Sequence, residues 1–157
     1  MVGDGELENF EQVDHVMQKY NVKELVIDAL PETRKAREPM KRNPYKVWLC
    51  FYNDNQKGAY AWKEDERIVS VNRTESLDVG TNAFIDGQIV LPRRSPMIEL
   101  FAKHCSAIVK TVDEDKDTRS KKYVYKALAA DHFRHALNYA MIAHSRIKSL
   151  KPISIFR

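Results

Sequence analysis

Two hydrophobic patterns take turns along the chain: short unbroken apolar runs, and longer stretches in which apolar residues recur every third or fourth position. Phe10, Val13, Val16, Met17 and Tyr20 follow Glu6 and Glu8 at helical spacing, which predicts an amphipathic helix over 8–20 that ends at Asn21. Glu24-Leu25-Val26-Ile27-Asp28 has a continuous apolar centre, suited to a strand covered on both faces as in a parallel sheet. Pro31 and Glu32 then turn into a second helix that runs to about Lys41, with Pro39 near its end. Lys46 to Tyr52 reads as another buried strand. Tyr60-Ala61-Trp62 and Arg67 to Val71 read as a hairpin around the polar Lys63-Glu64-Asp65-Glu66.

Thr74 is placed to cap a helix through about Ile85, with Glu75 in its first turn, and Asp86-Gly87 stops it before a short strand, Gln88 to Leu91, closed by Pro92. Ser95 and Pro96 open the clearest helix, whose stripe is Met97, Ile98, Phe101, Cys105, Ile108 and Val109. Thr111 to Asp117 reads as a polar loop and Tyr123-Val124-Tyr125 as one more strand. A last helix is predicted over about 129–147, with Phe133, Ala136, Leu137, Ala140, Met141, His144 and Ile147 on its apolar side. Strands alternating with helices predict an α/β fold with a mixed sheet flanked by helices.

Composition narrows the class. With 157 residues, 43% hydrophobic and 31% charged, the chain is expected to be a single globular domain, with its core at about 7–147 and a tail at 148–157. No apolar run approaches the length of a membrane span, and Met1 to Glu6 lacks the pattern of a signal peptide, so no membrane association is expected. Cys50 and Cys105 form no C-x-x-C pair and read as buried thiols of a reducing compartment. Glycine-rich phosphate loops, G-x-S-x-G and H-E-x-x-H are all missing, which leaves P-loop hydrolysis and zinc peptidase chemistry without support.

Three groups of polar residues could carry chemistry. Asp28 ends a buried strand, where open α/β sheets place ligands, and equally suits an aspartate that caps the turn after it. Asp131, His135 and Asn138 stand at i, i+4 and i+7 on one side of the last helix, as part of a site or as a solvated face with Asp131 at the helix N-terminus. His132 is the weaker member, a partner of Asp131 or a surface imidazole. Asp113, Glu114, Asp115 and Asp117 lack the glycine and distal glutamate of an EF-hand loop and read as an exposed acidic loop.

The net charge of +4 is mild. Its basic residues nevertheless cluster, at Arg34-Lys35-Arg37, Lys41-Arg42, Arg93-Arg94, Arg119, Lys121-Lys122 and Lys126, either as a track for a phosphate backbone or as solubilising charge.

In order along the chain, Val26-Ile27-Asp28-Ala29-Leu30-Pro31-Glu32, Val71-Asn72-Arg73-Thr74-Glu75, Gly87 to Pro92 and Asp131 to Ala140 resemble the nuclease domain of the large terminase subunit of tailed bacteriophages, over roughly residues 7–147. The resemblance implies a ribonuclease H-like fold and an endonuclease that cuts concatemeric viral DNA during genome packaging, in the cytoplasm of the host cell. It also implies an acidic site for two divalent metals, Mg²⁺ or Mn²⁺, in which Asp28 and Asp131 are the catalytic metal ligands, with His132 and His135 behind Asp131. Such metals, about 3.5–4 Å apart, activate a water and stabilise the leaving oxygen. Arg34, Lys35, Arg93, Arg94, Lys121 and Lys122 become the expected DNA contacts. Double-stranded DNA, the small terminase subunit and the portal become the expected partners.

The family has a strand bearing its first aspartate, followed by a hairpin, ahead of the helix placed here at 8–20. The chain leaves no room for those strands and is expected to be N-terminally truncated, with an incomplete metal site, weak or no cleavage on its own, and an apolar edge at Leu25-Val26-Ile27 that invites self-association. A non-catalytic DNA-binding remnant and another ribonuclease H-like nuclease, such as a junction resolvase, are the competing expectations.

Overall fold

The computed structural model describes residues 11–114, 116–147 and 153–154. Helix α1 (Glu11–Lys19) leads into β1 (Leu25–Asp28), α2 (Thr33–Arg42), β2 (Val47–Tyr52), β3 (Tyr60–Lys63), β4 (Ile68–Val71) and α3 (Arg73–Ile85). There follow β5 (Ile89–Val90), α4 (Pro96–Ser106), β6 (Ile108–Glu114), β7 (Lys121–Ala127), α5 (His132–Arg146) and β8 (Ile153–Ser154). The chain divides into two compact units, one of residues up to Leu91 together with those from Asn138 onward, the other Pro92–Leu137.

The first unit is built on a four-stranded mixed sheet in the order β1-β2-β4-β3. β1, β2 and β4 run parallel, with Asp28 opposite Cys50 and Tyr52 opposite Val71, whereas β3 pairs antiparallel with β4 as the predicted hairpin. Alternation along the strands separates two cores. Val47 and Leu49 pack with Val13, Met17, Ala36 and Met40 of α1 and α2, while Val26, Trp48, Cys50, Val69 and Val71 pack with Ile142 and Ala143 of α5. Both faces of β1 and β2 are therefore covered, which is why their sequences read as continuous apolar runs.

Among the described residues β1 is an edge strand, but its side chains do not form the exposed apolar edge expected for it: Val26 is buried, and Leu25 and Ile27 are half-buried against the first core.

Several boundaries differ from the sequence pattern for local reasons. Asn21 ends α1 in a left-handed conformation, φ 48°, as asparagine tolerates well; residues 8–10 of the predicted helix lie outside the described ones. Asn72, not Thr74, caps α3, its side chain accepting from the Glu75 amide. Ser95 caps α4 through the Ile98 amide, as expected. That helix stops at Ser106, so Ile108 and Val109 belong to β6.

The second unit pairs β6 with β7 antiparallel, from Ile108 opposite Ala127 to Glu114 opposite Lys121. Thr111 to Glu114 are thus strand, not loop: their polarity marks an exposed ribbon, where strand residues have no core to face. Of the predicted tail, Ile153 and Ser154 pair with Ile89 and Val90, and the remainder lies outside the described residues.

The predicted apolar side of α5 is rotated. Leu137 and Met141 are buried as predicted, but Ala136 and Ala140 are exposed and Ile147 is 39% exposed, whereas Arg134, Asn138, Ile142 and Ala143, outside the predicted stripe, are buried. Arg134 and Asn138 are polar, so an apolar periodicity could not find the buried face. No described helix is long and apolar enough to cross a membrane.

Candidate functional site

Parallel pairing brings the carboxyl ends of β1, β2 and β4 to one edge of the first unit's sheet. Asp28 ends β1 there and is exposed. Its Oδ1 accepts from the Leu30 amide at 3.0 Å, so the turn-capping role read from the sequence is present. Its Oδ2 accepts from the Tyr139 hydroxyl of α5 at 2.7 Å. Tyr139 was missed in the sequence because an aromatic residue at helical spacing looks like core.

Tyr139 begins a longer network. Its ring lies 6.2 Å from that of Tyr52 at the end of β2, and the two hydroxyls are hydrogen-bonded. The Asn138 amide nitrogen donates to the Tyr52 hydroxyl and to Ser76 Oγ, both at 3.0 Å. Ser76 Oγ passes its proton to the Arg73 carbonyl at 3.0 Å, and the Arg73 guanidinium sits 5.8 Å from the Tyr52 ring centroid.

Counting protons gives this network a direction. Each tyrosine has one. Since Tyr139 gives its proton to Asp28, Tyr52 donates to Tyr139 and accepts from Asn138, so the chain runs Asn138 to Tyr52 to Tyr139 to Asp28. Asn138 is completely buried, against the expectation that it shares a polar face with Asp131 and His135.

Burial shapes the titration of this edge. It pushes Tyr52 and Tyr60 up to about 12, and Cys50 up to about 12 with the nearby Asp28 charge adding to the effect. Tyr139 is raised as well, chiefly by burial, then by Tyr52 and Asp28. These groups are neutral when protonated, so the folded state favours the neutral form. Their contribution to stability is complete below the unfolded-state values, about 9 for the thiol and about 10 for the phenols, and is lost as pH rises through the raised folded values. The denaturant midpoint should therefore stay flat from neutrality to about pH 9 and fall steadily toward pH 12, with the tyrosinate absorbance of Tyr52, Tyr60 and Tyr139 rising only as the fold is lost. Ionisation of all tyrosines near pH 10 in a chain that keeps its circular dichroism would contradict these assignments.

Asp131 and His135 belong to the second unit. The Asp131 carbonyl accepts from the Arg134 and His135 amides as α5 begins, and its carboxylate lies 3.3 Å from His135 Nε2 with both side chains largely shielded. This pair is the part of the predicted trio that the structure brings together. His132 is exposed, and its ring lies 5.9 Å from that of His104, a neighbour the sequence reading did not use. His104 accepts from the Phe133 amide through Nδ1 at 3.4 Å, so its imidazole helps to finish the first turn of α5. Cys105 is pushed up to about 11 by burial, with Arg134 acting in the opposite direction.

The six predicted DNA contacts are all exposed. Arg34 and Lys35 stand in the first turn of α2, with Lys35 2.9 Å from Glu32. Arg94 pairs with Glu99 at 2.6 Å and Lys121 with Glu114 at 3.6 Å. Arg93 precedes α4, and Lys122 lies on β7.

A two-metal site needs several converging oxygen donors. Among the described residues no group of three or more His, Cys, Asp or Glu side chains is placed to hold a metal ion, and the only carboxylate in the Asp28 network is Asp28 itself. Asp28 and Asp131 fall in different units, and neither belongs to such a group among the described residues. No family model matches the chain, and neither a curated protein nor a solved structure matches it.

Proposed function

We propose that this chain is a ribonuclease H-like, terminase-type nuclease module that holds double-stranded DNA and on its own does little or no cutting. The observation that carries the fold reading is Asp28, at the carboxyl end of a parallel strand beside the last helix's Tyr139. Ligands of open α/β sheets gather at that end. Support for DNA comes from the sequence pI of about 9.0 and the exposed Arg34, Lys35, Arg93, Arg94, Lys121 and Lys122. Phosphate contacts of this kind carry little sequence preference.

Asp28 and Asp131 remain the carboxylates this reading assigns to Mg²⁺ or Mn²⁺ chemistry, with His132 and His135 near Asp131. Because the described donors are too few for a two-metal centre, no cleavage step is assigned to this chain. In a packaging assembly its partners would be DNA, the small terminase subunit and the portal, in the host cell cytoplasm.

Gel-shift titrations with a linear duplex between 50 and 200 mM salt, paired with a plasmid-nicking assay in Mn²⁺, test the reading. The expected result is binding that falls at least tenfold over that salt range, as release of counterions from a few phosphates requires, without nicking above background. Robust Mn²⁺-dependent nicking that disappears in Asp28→Ala would overturn the non-cutting assignment. No duplex binding at the lowest salt would overturn the DNA assignment. A strong preference for branched over linear duplex would favour a junction resolvase instead.

A further inference from the structure

The ribbon of β6 and β7 has two unlike faces. Alternation and register place Lys110, Val112, Tyr123 and Tyr125 on one face, with the Glu114–Lys121 pair at its outer end. Val109, Thr111 and Val124 lie on the other and are half-buried. On the first face Tyr123 is 63% exposed and Val112 52% exposed. A soluble protein seldom turns an aromatic and an aliphatic residue outward side by side without a use for them.

The charge on this face points to the kind of partner. The Lys110 ammonium lies 5.3 Å from the Tyr123 ring centroid and 6.0 Å from that of Tyr125. Across the rungs from Lys110 to Val112 the face carries a cation and two phenol rings and, among the described residues, no carboxylate. Residues 108–127 hold six bases, Lys110, Lys116, Arg119, Lys121, Lys122 and Lys126, against four acids, Asp113, Glu114, Asp115 and Asp117, with Lys122, Lys126 and Asp113 on the opposite face of the ribbon. A protein partner would have to desolvate the Lys110 ammonium, whereas a polyanion welcomes it. Flat rings beside a cation on an open strand face match the way single strands are held, with bases stacking on aromatics and phosphates meeting lysines.

We propose that this face binds single-stranded nucleic acid, with bases stacking on Tyr123 and Tyr125 and Lys110 moving from the rings to a phosphate. An exposed cation–ring contact is weak, so giving it up costs little. The site uses neither Asp28 nor Asp131, and it shares with the proposed duplex contacts only Lys121, at the outer end of the face.

Fluorescence anisotropy of a labelled oligothymidylate of about 15 nucleotides, set beside a duplex of the same length, tests the proposal. Tyr123→Ala should weaken the single-strand affinity about tenfold and Tyr123→Phe should keep it, because stacking needs the ring and not the hydroxyl. Lys110→Ala should lower the slope of log affinity against log salt by about 0.7, the loss of one phosphate contact. Circular dichroism melts of each variant verify folding.

Wild type that binds duplex but not oligothymidylate overturns this proposal and spares the duplex reading; the reverse pattern supports it and sinks the duplex reading. Equal single-strand affinity in folded Tyr123→Ala also overturns it. So does a dimer by light scattering that Tyr123→Ala dissolves while wild type ignores the oligonucleotide, since the face would then pair two copies of the chain.

Discussion

Replacing Asn138 with alanine should lower the unfolding free energy by about 3 kcal/mol, one of the largest effects of any single polar substitution in this chain. Asn138 is completely buried and donates to both Tyr52 and Ser76. Its removal costs two hydrogen bonds, leaves a cavity beside Tyr52 and Ser76, and strands the Tyr52 oxygen without its donor. Urea unfolding at pH 7 measures the change, and for a chain of this size a loss of that order corresponds to a fall in Tm of about 10 °C.

The same network gives the experiment its control. Tyr139→Phe removes the bond to Asp28 and the one from Tyr52 at the exposed end, and should cost about 1–2 kcal/mol. If the chain from Asn138 to Asp28 acts as a unit, Asn138→Ala and Tyr52→Phe will be non-additive by at least about 0.5 kcal/mol in a double-mutant cycle. Full additivity, or a cost for Asn138→Ala below about 1 kcal/mol, would show that the network contributes little to holding α5 on the sheet.

Arg146→Ala should destabilise by about 2–3 kcal/mol, through aromatic packing more than charge. The Arg146 guanidinium lies 4.0 Å from the Trp48 ring centroid and 4.7 Å from that of Trp62, and the two indoles meet edge to face at 5.2 Å. It also reaches Glu64 at 2.5 and 3.2 Å and Glu24 at 3.7 Å, while Trp48 Nε1 donates to Glu24 at 2.7 Å. The Glu64 pair is exposed and contributes little by itself. The cation–ring contacts with the two indoles and the shielded Glu24 carry most of the effect.

Arg146→Lys should recover less than half of the loss, because an ammonium offers neither a planar face to the indoles nor a fork to both glutamates. Guanidinium denaturation would read this directly. A salt-dependent loss that vanishes in 0.5 M NaCl would assign the effect to surface charge instead.

Both residues lie on α5, which marks the limit of what the hydrophobic pattern could convey. The stripe read from Phe133, Ala136, Leu137, Ala140, Met141, His144 and Ile147 placed a helix correctly and put Leu137 and Met141 inside, but set the buried face to one side of its true centre, because two of the residues facing inward, Arg134 and Asn138, are polar. A polar side chain can be buried when partners elsewhere in the fold satisfy it. For the Asn138 amide nitrogen those partners are Tyr52, 86 residues away, and Ser76, 62 residues away, and neither is visible at local range.

Other readings came through because their causes are local. The runs in β1 and β2 are apolar throughout because helices cover both faces of those strands, and the sequence alone was enough to predict their burial. Ser95 and Pro96 began α4, and Gly87, at φ 67°, followed the end of α3, because caps and turns depend on residues within a few positions. The β6–β7 ribbon was half missed for the opposite reason: an exposed strand carries no apolar alternation.

The sequence by itself determined the α/β class, the parallel core strands and the position of Asp28 at a strand end, since each follows from periodicity and short-range stereochemistry. Only the tertiary structure decided what Asp28 touches. Its carboxylate meets Tyr139 from 111 residues further along the chain, and that contact depends on how α5 is rotated as it packs. Hydrogen bonds between distant segments are set by the packing of whole elements, which no local pattern encodes.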